Sequence, residues 1–283
     1  MFSVRYPTNG RLNKRAQQYN LIVGVYTKTL TMISQEKLPE KQYYNELFKA
    51  RGRFDQFQVE IYEQVAREAR KGTQGQMALD LGCGSGTQTL CLMGEGFQVV
   101  SMDLSFEATK VAKTTLSRSG APLRIVNGDA EHLPFPDASV DACVCSLFLH
   151  HFRDLDGVAK ELKRIIRPGG VVVATDANAH NPFVFLFFNV IHRIHRLSWL
   201  TSNQRALWCR DVEESFNKFG FEDFHFDSFT TDLRRDWLGG SFAYSVNFYT
   251  RALLMWISGK LLSRIARGNG LLSVFRRSVN STP

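Results

Sequence analysis

Acidic residues are missing where they would ordinarily be scattered: residues 237–283 contain no Asp or Glu, and neither do residues 1–35. The five cysteines include no Cys-x-x-Cys pair, which removes the usual zinc-ribbon and dithiol frameworks. Cys143 and Cys145 fall on the same side of an expected strand, too near in sequence for an ordinary disulfide. Reduced thiols and a cytoplasmic setting are therefore expected. No apolar run approaches the roughly 18 residues of a membrane-spanning helix, and no apolar segment with a cleavage site opens the chain. His192 and His195 lie one helical turn apart with no third ligand near them, so no metal is expected. No internal repeat is visible. With 44% hydrophobic and 22% charged residues over 283 positions, the chain can bury one sizeable α/β core with appended helices.

The densest information lies in Ala78-Leu-Asp-Leu-Gly-Cys-Gly-Ser-Gly86. A short apolar run ends in three glycines at alternate positions, with Asp80 two residues before the first. Gly82, Gly84 and Gly86 allow a sharp strand-to-helix turn and close approach of backbone to a ligand. A dinucleotide fingerprint wants its third glycine at position six, but Thr87 stands there and the glycine falls at five. A pyrophosphate reader is disfavoured, and with it a nicotinamide oxidoreductase. Phe97-Gln-Val-Val-Ser-Met-Asp103 reads as a second strand ending in an acid, 21 residues beyond Gly82, where an acid accepts hydrogen bonds from ribose hydroxyls. Arg124-Ile-Val-Asn-Gly-Asp129 is a third strand with an acid after it. Val140 to Ser146 and Val171 to Asp176 supply a fourth and a fifth strand, separated by a helix that closes on Arg167-Pro-Gly-Gly170.

This series, over residues 77–176, resembles class I S-adenosylmethionine (SAM) methyltransferases, and within them the methyltransferase type 11 group that contains the ubiquinone and menaquinone enzymes. The resemblance extends over about residues 77–230. It implies an α/β Rossmann-like fold: a seven-stranded or six-stranded, mostly parallel sheet with helices on both faces. It implies SAM as cofactor, with contacts from Asp80, Gly82, Cys83, Gly84, Gly86, Asp103, Leu104, Asp129, Ala130 and Ser146. Cys83 fills a place that wants a small side chain and is given no catalytic part. After the fourth strand, His150 and His151 stand where this family often turns a histidine toward the substrate. His151 is the first candidate for a base and His150 the second, with Asp176 orienting the histidine or meeting the acceptor.

Three segments flank that core. Residues 1–53, with Tyr19, Tyr26, Tyr43 and Tyr44 among basic residues, are expected to form a helical lid. Residues 54–236 are the methyltransferase core, opened by an amphipathic helix through Ile61, Val65 and Ala69 and interrupted by a helical insert at 177–210. The insert is greasy, with Phe183, Phe185, Phe187, Phe188, Trp199 and Trp208. Residues 237–283 form a basic tail with Arg251, Lys260, Arg264, Arg267, Arg276 and Arg277, six of the net +8, so residues 1–236 carry about +2 (8 − 6). Leu254, Ile257, Leu261 and Ile265 repeat at helical spacing there, with Trp256 and Phe275 adding aromatic bulk. Such a helix suits peripheral contact with an anionic membrane; packing of the stripe on the core is the alternative. Nucleic acid is disfavoured as a partner, since aromatic–basic interleaving is absent. The last strand usual in the family finds only a poor match, at residues 241–249.

The resulting expectation is an enzyme that methylates oxygen or carbon of a small lipophilic acceptor: quinone-like, isoprenoid, polyketide or lipid. Secondary metabolite or lipid biosynthesis is the expected setting. The alternative is a catalytically silent SAM-binding partner subunit. A homo-oligomer is compatible with either.

Overall fold

A computed structural model describes residues 38–51, 59–191, 201, 203–230 and 268–279. Two helices lead in, α1 (Leu38–Arg51) and α2 (Val59–Gly72). Strand and helix then alternate: β1 (Met77–Leu81), α3 (Thr87–Gly94), β2 (Gln98–Asp103), α4 (Phe106–Arg118), β3 (Ile125–Asn127) and β4 (Val140–Ser146). A 3-10 turn at Leu149–His151 leads to α5 (Asp156–Ile165) and β5 (Ile166–Ala177). The insert contributes a short α6 (Pro182–Phe185) and a π-helical turn (Leu186–Ile191), and the chain returns through α7 (Cys209–Asn217) to β6 (Phe221–Phe229) and β7 (Gly270–Arg277). Residues 192–200, which hold His192, His195 and Trp199, lie outside the described residues.

The sheet has seven strands in the order β3-β2-β1-β4-β5-β7-β6. β1 to β5 run parallel, and β7 is antiparallel to both β5 and β6. Its central strands are buried on both faces, as parallel strands flanked by helices must be. Period-two alternation sorts their side chains. Leu79, Leu81, Cys143 and Cys145 join one core with Leu162, Ile165 and Phe216. Ala78, Ala142 and Val144 join another with Val65, Ala66 and Ala69 of α2. The alanines on that face let α2 lie close, and the Val65–Ala69 stripe expected from periodicity is the part that is buried.

The antiparallel strand lies elsewhere than expected. It is Gly270–Arg277, inside the segment read as a basic tail, whereas residues 241–249 lie outside the described residues. Phe275 is fully buried, its ring 4.5 Å from that of Phe216 and 5.4 Å from that of Phe221. Arg276 and Arg277 are not offered to a membrane: their guanidinium groups donate to the carbonyls of Gly72 and Ile166. The core thus reaches Arg277, and a truncation after Gly240 would remove a strand rather than a tail. Phe275→Ala should cost about 3–5 kcal/mol of stability, read as a large fall in Tm. A stability near wild type would contradict this placement. The other four basic residues of the expected tail, Arg251, Lys260, Arg264 and Arg267, lie outside the described residues. No helix among the described residues is long and apolar enough to cross a membrane.

Candidate active site

The carboxyl ends of β1, β2, β4 and β5 meet at one rim, where ligands of open α/β sheets bind. The glycine loop after β1 is stitched to β2: Gly82 N and Cys83 N donate to Met102 O at 2.8 and 3.0 Å, and Gly86 N to Cys83 O at 2.8 Å. Gly82, Gly84 and Gly86 have φ of 77°, 51° and 83°, the left-handed region that favours glycine. A Cβ on Gly82 would overlap the Phe148 ring, whereas one on Gly84 would meet only Phe48 Cζ at 3.6 Å. The loop is therefore a cradle open at Gly84 and tight at Gly82.

Asp103 ends β2 and faces the cradle. Its carboxylate accepts from Gly84 N at 2.9 Å and Ser105 N at 2.8 Å, which leaves further lone pairs for ribose hydroxyls. Burial raises its pKa to about 6, against the lowering effect of these backbone N–H groups. Since the folded pKa lies above the ordinary 3.8, ionising Asp103 costs stability as pH rises from about 4 to about 6. Ribose binding wants the ionised form, so SAM affinity should fall as pH drops below about 6. Asp103→Ala should weaken SAM by about 1–3 kcal/mol and flatten that pH dependence. Calorimetric titration across pH 5–8 checks both; an unchanged dissociation constant would remove the ribose assignment.

The other expected cofactor residues divide into those at the rim and those beneath it. Asp80 is 1% exposed and takes a 2.5 Å hydrogen bond from Thr89 Oγ1, which also lies 2.9 Å from Ser101 Oγ. It fastens α3 under the loop. Burial, then Asp103 and Asp80, push the Cys83 thiol well above its ordinary pKa, so it is no nucleophile. Ser146 donates to Gln88 Oε1 at 2.9 Å, and Gln88 Nε2 to Tyr62 O at 3.0 Å, tying β4 to α3 and α2. Asp129 and Ala130 are buried beyond β3, Asp129 Oδ1 accepting from Glu131 N at 3.1 Å. Leu104 is half-buried. The sequence reading missed Asn127, whose Nδ2 donates to Asp103 O at 2.8 Å and Leu104 O at 2.9 Å. It fixes the turn that presents Asp103, and its only sequence signal is an amide at a strand end.

Beyond β4 the chain takes an unusual step. Leu147, a non-glycine, has φ 52°, held by a 2.7 Å hydrogen bond from its N to Thr175 O. Such a conformation costs on the order of 1–3 kcal/mol and clusters at functional sites. It sends His150 onto Asp176. His150 N lies 3.0 Å and His150 Nδ1 2.8 Å from Asp176 Oδ1, with both residues buried. With Nδ1–H donating to the carboxylate, the neutral imidazole carries its lone pair on Nε2. The first-ranked candidate, His151, has no such partner in Asp176. Its ring lies 4.1 Å from that of His150, with Nε2 3.3 Å from Tyr44 Oη and Nδ1 3.4 Å from Gln204 Nε2. Gln204 Nε2 in turn donates to Tyr44 Oη at 3.0 Å. Gln204 was not singled out, because a lone amide in an apolar insert has no signature of its own.

Helix α1 crosses this rim. Asn45 Oδ1 accepts from Ser105 Oγ at 2.8 Å, Tyr44 meets His151, and Phe48 stands over Gly84. In the insert, Phe185 packs 5.6 Å and His180 4.9 Å from the Trp208 ring. Residues 183–188 remain partly exposed. Among the described residues no cluster of three His, Cys, Asp or Glu is arranged to hold a metal.

Comparison with known proteins agrees with this geometry. Residues 79–174 match the model of a methyltransferase domain. The demethylmenaquinone methyltransferase of Geobacillus stearothermophilus is 28% identical over 185 residues, spanning 59% of this chain and 79% of that protein. The crystal structure of the YcgJ protein from Bacillus subtilis shares the fold with a TM-score of 0.56 at 18% identity, covering 76% of this chain and 98% of that one. A putative methyltransferase from Bacillus halodurans does so with a TM-score of 0.57 at 21% identity, covering 76% and 99%. The open cradle at Gly84 and the ribose-ready carboxylate of Asp103 fit the cofactor that such domains use. Residues 79–174 are the heart of a class I SAM-dependent methyltransferase, and this chain is an enzyme of that kind with S-adenosyl-L-methionine as its cofactor.

Proposed function

We propose that the enzyme methylates an oxygen or carbon of a small lipophilic, quinone-like acceptor, with His150 as base and Asp176 as the group that orients it. The observation that carries this reading is the buried His150–Asp176 pair on the rim that holds the glycine cradle. Relatives named for demethylmenaquinone and the partly exposed aromatic run at 183–188 support a lipophilic ring as acceptor.

When bound, SAM supplies a methyl group on a sulfonium, a good leaving group for in-line displacement. The chain's part is placement and proton management. Gly82, Gly84 and Asp103 would hold the cofactor, with Asp129 and Ala130 flanking its adenine. Helix α1 would act as a lid over it through Phe48, and it limits water at the rim. His150 Nε2 takes the proton that the acceptor loses as the new bond forms, and Asp176 stabilises the imidazolium. General-base assistance of this type is worth about 10²–10⁴ in rate. Alignment of acceptor and cofactor supplies the rest.

Peripheral membrane contact through Arg251, Lys260, Arg264 and Arg267 belongs to the same proposal, since a lipophilic acceptor is met at a lipid surface. Point substitutions there test it cleanly, in liposome sedimentation, where truncation would not. The central test is transfer of labelled methyl from SAM into an extract of the source organism, partitioned into organic, aqueous and macromolecular fractions. Label in the organic phase is expected. Label in the macromolecular fraction would overturn the acceptor class. No transfer despite tight SAM binding would leave a silent partner subunit.

A further inference from the structure

The three polar groups beside the His150–Asp176 pair come from separate parts of the chain: Tyr44 from α1, His151 from the turn after β4, and Gln204 from the loop before α7. Gln204 is satisfied by the other two on one side only. Gln204 is 7% exposed, its Nε2 donates to Tyr44 Oη at 3.0 Å and faces His151 Nδ1 at 3.4 Å, yet its Oε1 is buried with no hydrogen-bonding partner. A buried carbonyl left unpaired is costly, and such a group in a folded protein is accounted for by strain, a functional role, or a polar group that comes to pair with it. Turning the amide over would not help. The carbonyl would then face Tyr44, and the NH₂ group would be stranded in its place.

Resting on the proposed reading of this site, we infer that Gln204 is the specificity residue for the acceptor, its side-chain carbonyl receiving a hydroxyl that the acceptor carries next to His151. The amide is held in register from behind by Tyr44 and His151, so the carbonyl is presented at a fixed angle. An acceptor with one oxygen for His150 and a second hydroxyl for Gln204 fills both places. An analogue whose second oxygen is capped leaves the carbonyl unpaired again and gives up the hydrogen bond. Sites built to pair with a ligand hydroxyl reject the analogue without it far better than apolar pockets reject an extra methyl.

The test is binding, which does not depend on turnover. The intact enzyme, saturated with S-adenosylhomocysteine, is titrated calorimetrically with two probes: a 2-prenyl-1,4-dihydroxynaphthalene and its mono-methyl ether. Wild type is expected to favour the dihydroxy probe by about tenfold or more. Gln204→Leu should lose that preference while keeping its affinity for S-adenosylhomocysteine and its Tm, because an apolar residue of similar size removes an unpaired carbonyl. Gln204→Glu, which keeps the acceptor oxygen, should keep the preference, and it serves if the leucine variant does not fold. A preference unchanged in Gln204→Leu, or a large fall in its Tm with equal binding of both probes, would overturn the inference and leave the methyl-transfer reading standing. Failure of wild type to bind either probe, with S-adenosylhomocysteine bound, would overturn both.

Discussion

His150→Ala should lower kcat by about 10²–10⁴ while leaving SAM affinity near wild type. The size of the effect follows from the bond that sets the tautomer. Asp176 Oδ1 lies 2.8 Å from His150 Nδ1, so the carboxylate directs the lone pair to Nε2 and supports the cation once the proton arrives. Asp176→Asn should show a smaller loss, since an amide can still bond the ring but does not favour the imidazolium. His151→Ala should reduce kcat much less, because Asp176 pairs with the ring of His150. His150→Ala also takes the ring from the buried Asp176 carboxylate and leaves it the backbone N–H of residue 150, at a cost on the order of 1–3 kcal/mol of stability. His150→Gln keeps a donor toward Asp176 and separates the chemical effect from the structural one. Labelled methyl transfer, with the acceptor identified from the organic phase, is the measurement. Full turnover by a folded His150→Ala enzyme would remove the general-base proposal.

Gly82→Val should abolish SAM binding. Three penalties coincide at that position. A φ of 77° costs an L-residue about 1–2 kcal/mol, β-branching stiffens the side chain further, and the added carbon meets the Phe148 ring. Relief requires moving the loop off Met102 O, which displaces the Gly84 amide from Asp103. Gly84→Ala is the informative contrast: its Cβ meets only Phe48 Cζ at 3.6 Å, so it pays the backbone cost without the clash. SAM dissociation constants for the two variants, beside circular dichroism to confirm the fold, check the ranking. Equal effects would mean that the cradle is looser at Gly82 than its geometry states.

The glycine turn, the acid at the end of β2 and the alternation through β5 were legible because each is encoded within a few residues. Glycines at alternate positions and acids at strand ends leave local signatures. What was not legible depends on partners far along the chain. Gly270–Arg277 ends in two arginines and sits in an acid-free stretch, so it read as tail. Its identity as a strand comes from β5 and β6, to which nothing local points. Which of two adjacent histidines meets Asp176 is likewise invisible in sequence. The left-handed turn at Leu147 decides it, and a leucine gives no hint of that conformation. Tyr44 and Gln204, 160 positions apart, show nothing of their contact until the fold brings them together.

The late arrival of β7 also bears on how the molecule is made. Ribosomes deliver the chain from its N-terminal end at about 5–20 residues per second. β6 is complete at Phe229, but the strand that joins it to β5 begins only at Gly270. Until then β5 has one open edge and β6, whose sheet partner is β7, has no strand beside it, and such edges can template association with a neighbouring chain. The half of the sheet farthest from the cradle therefore closes last. A pause in translation between those strands, or a slow codon run there, would lengthen the time in which nascent chains are exposed to aggregation and in need of a holding chaperone.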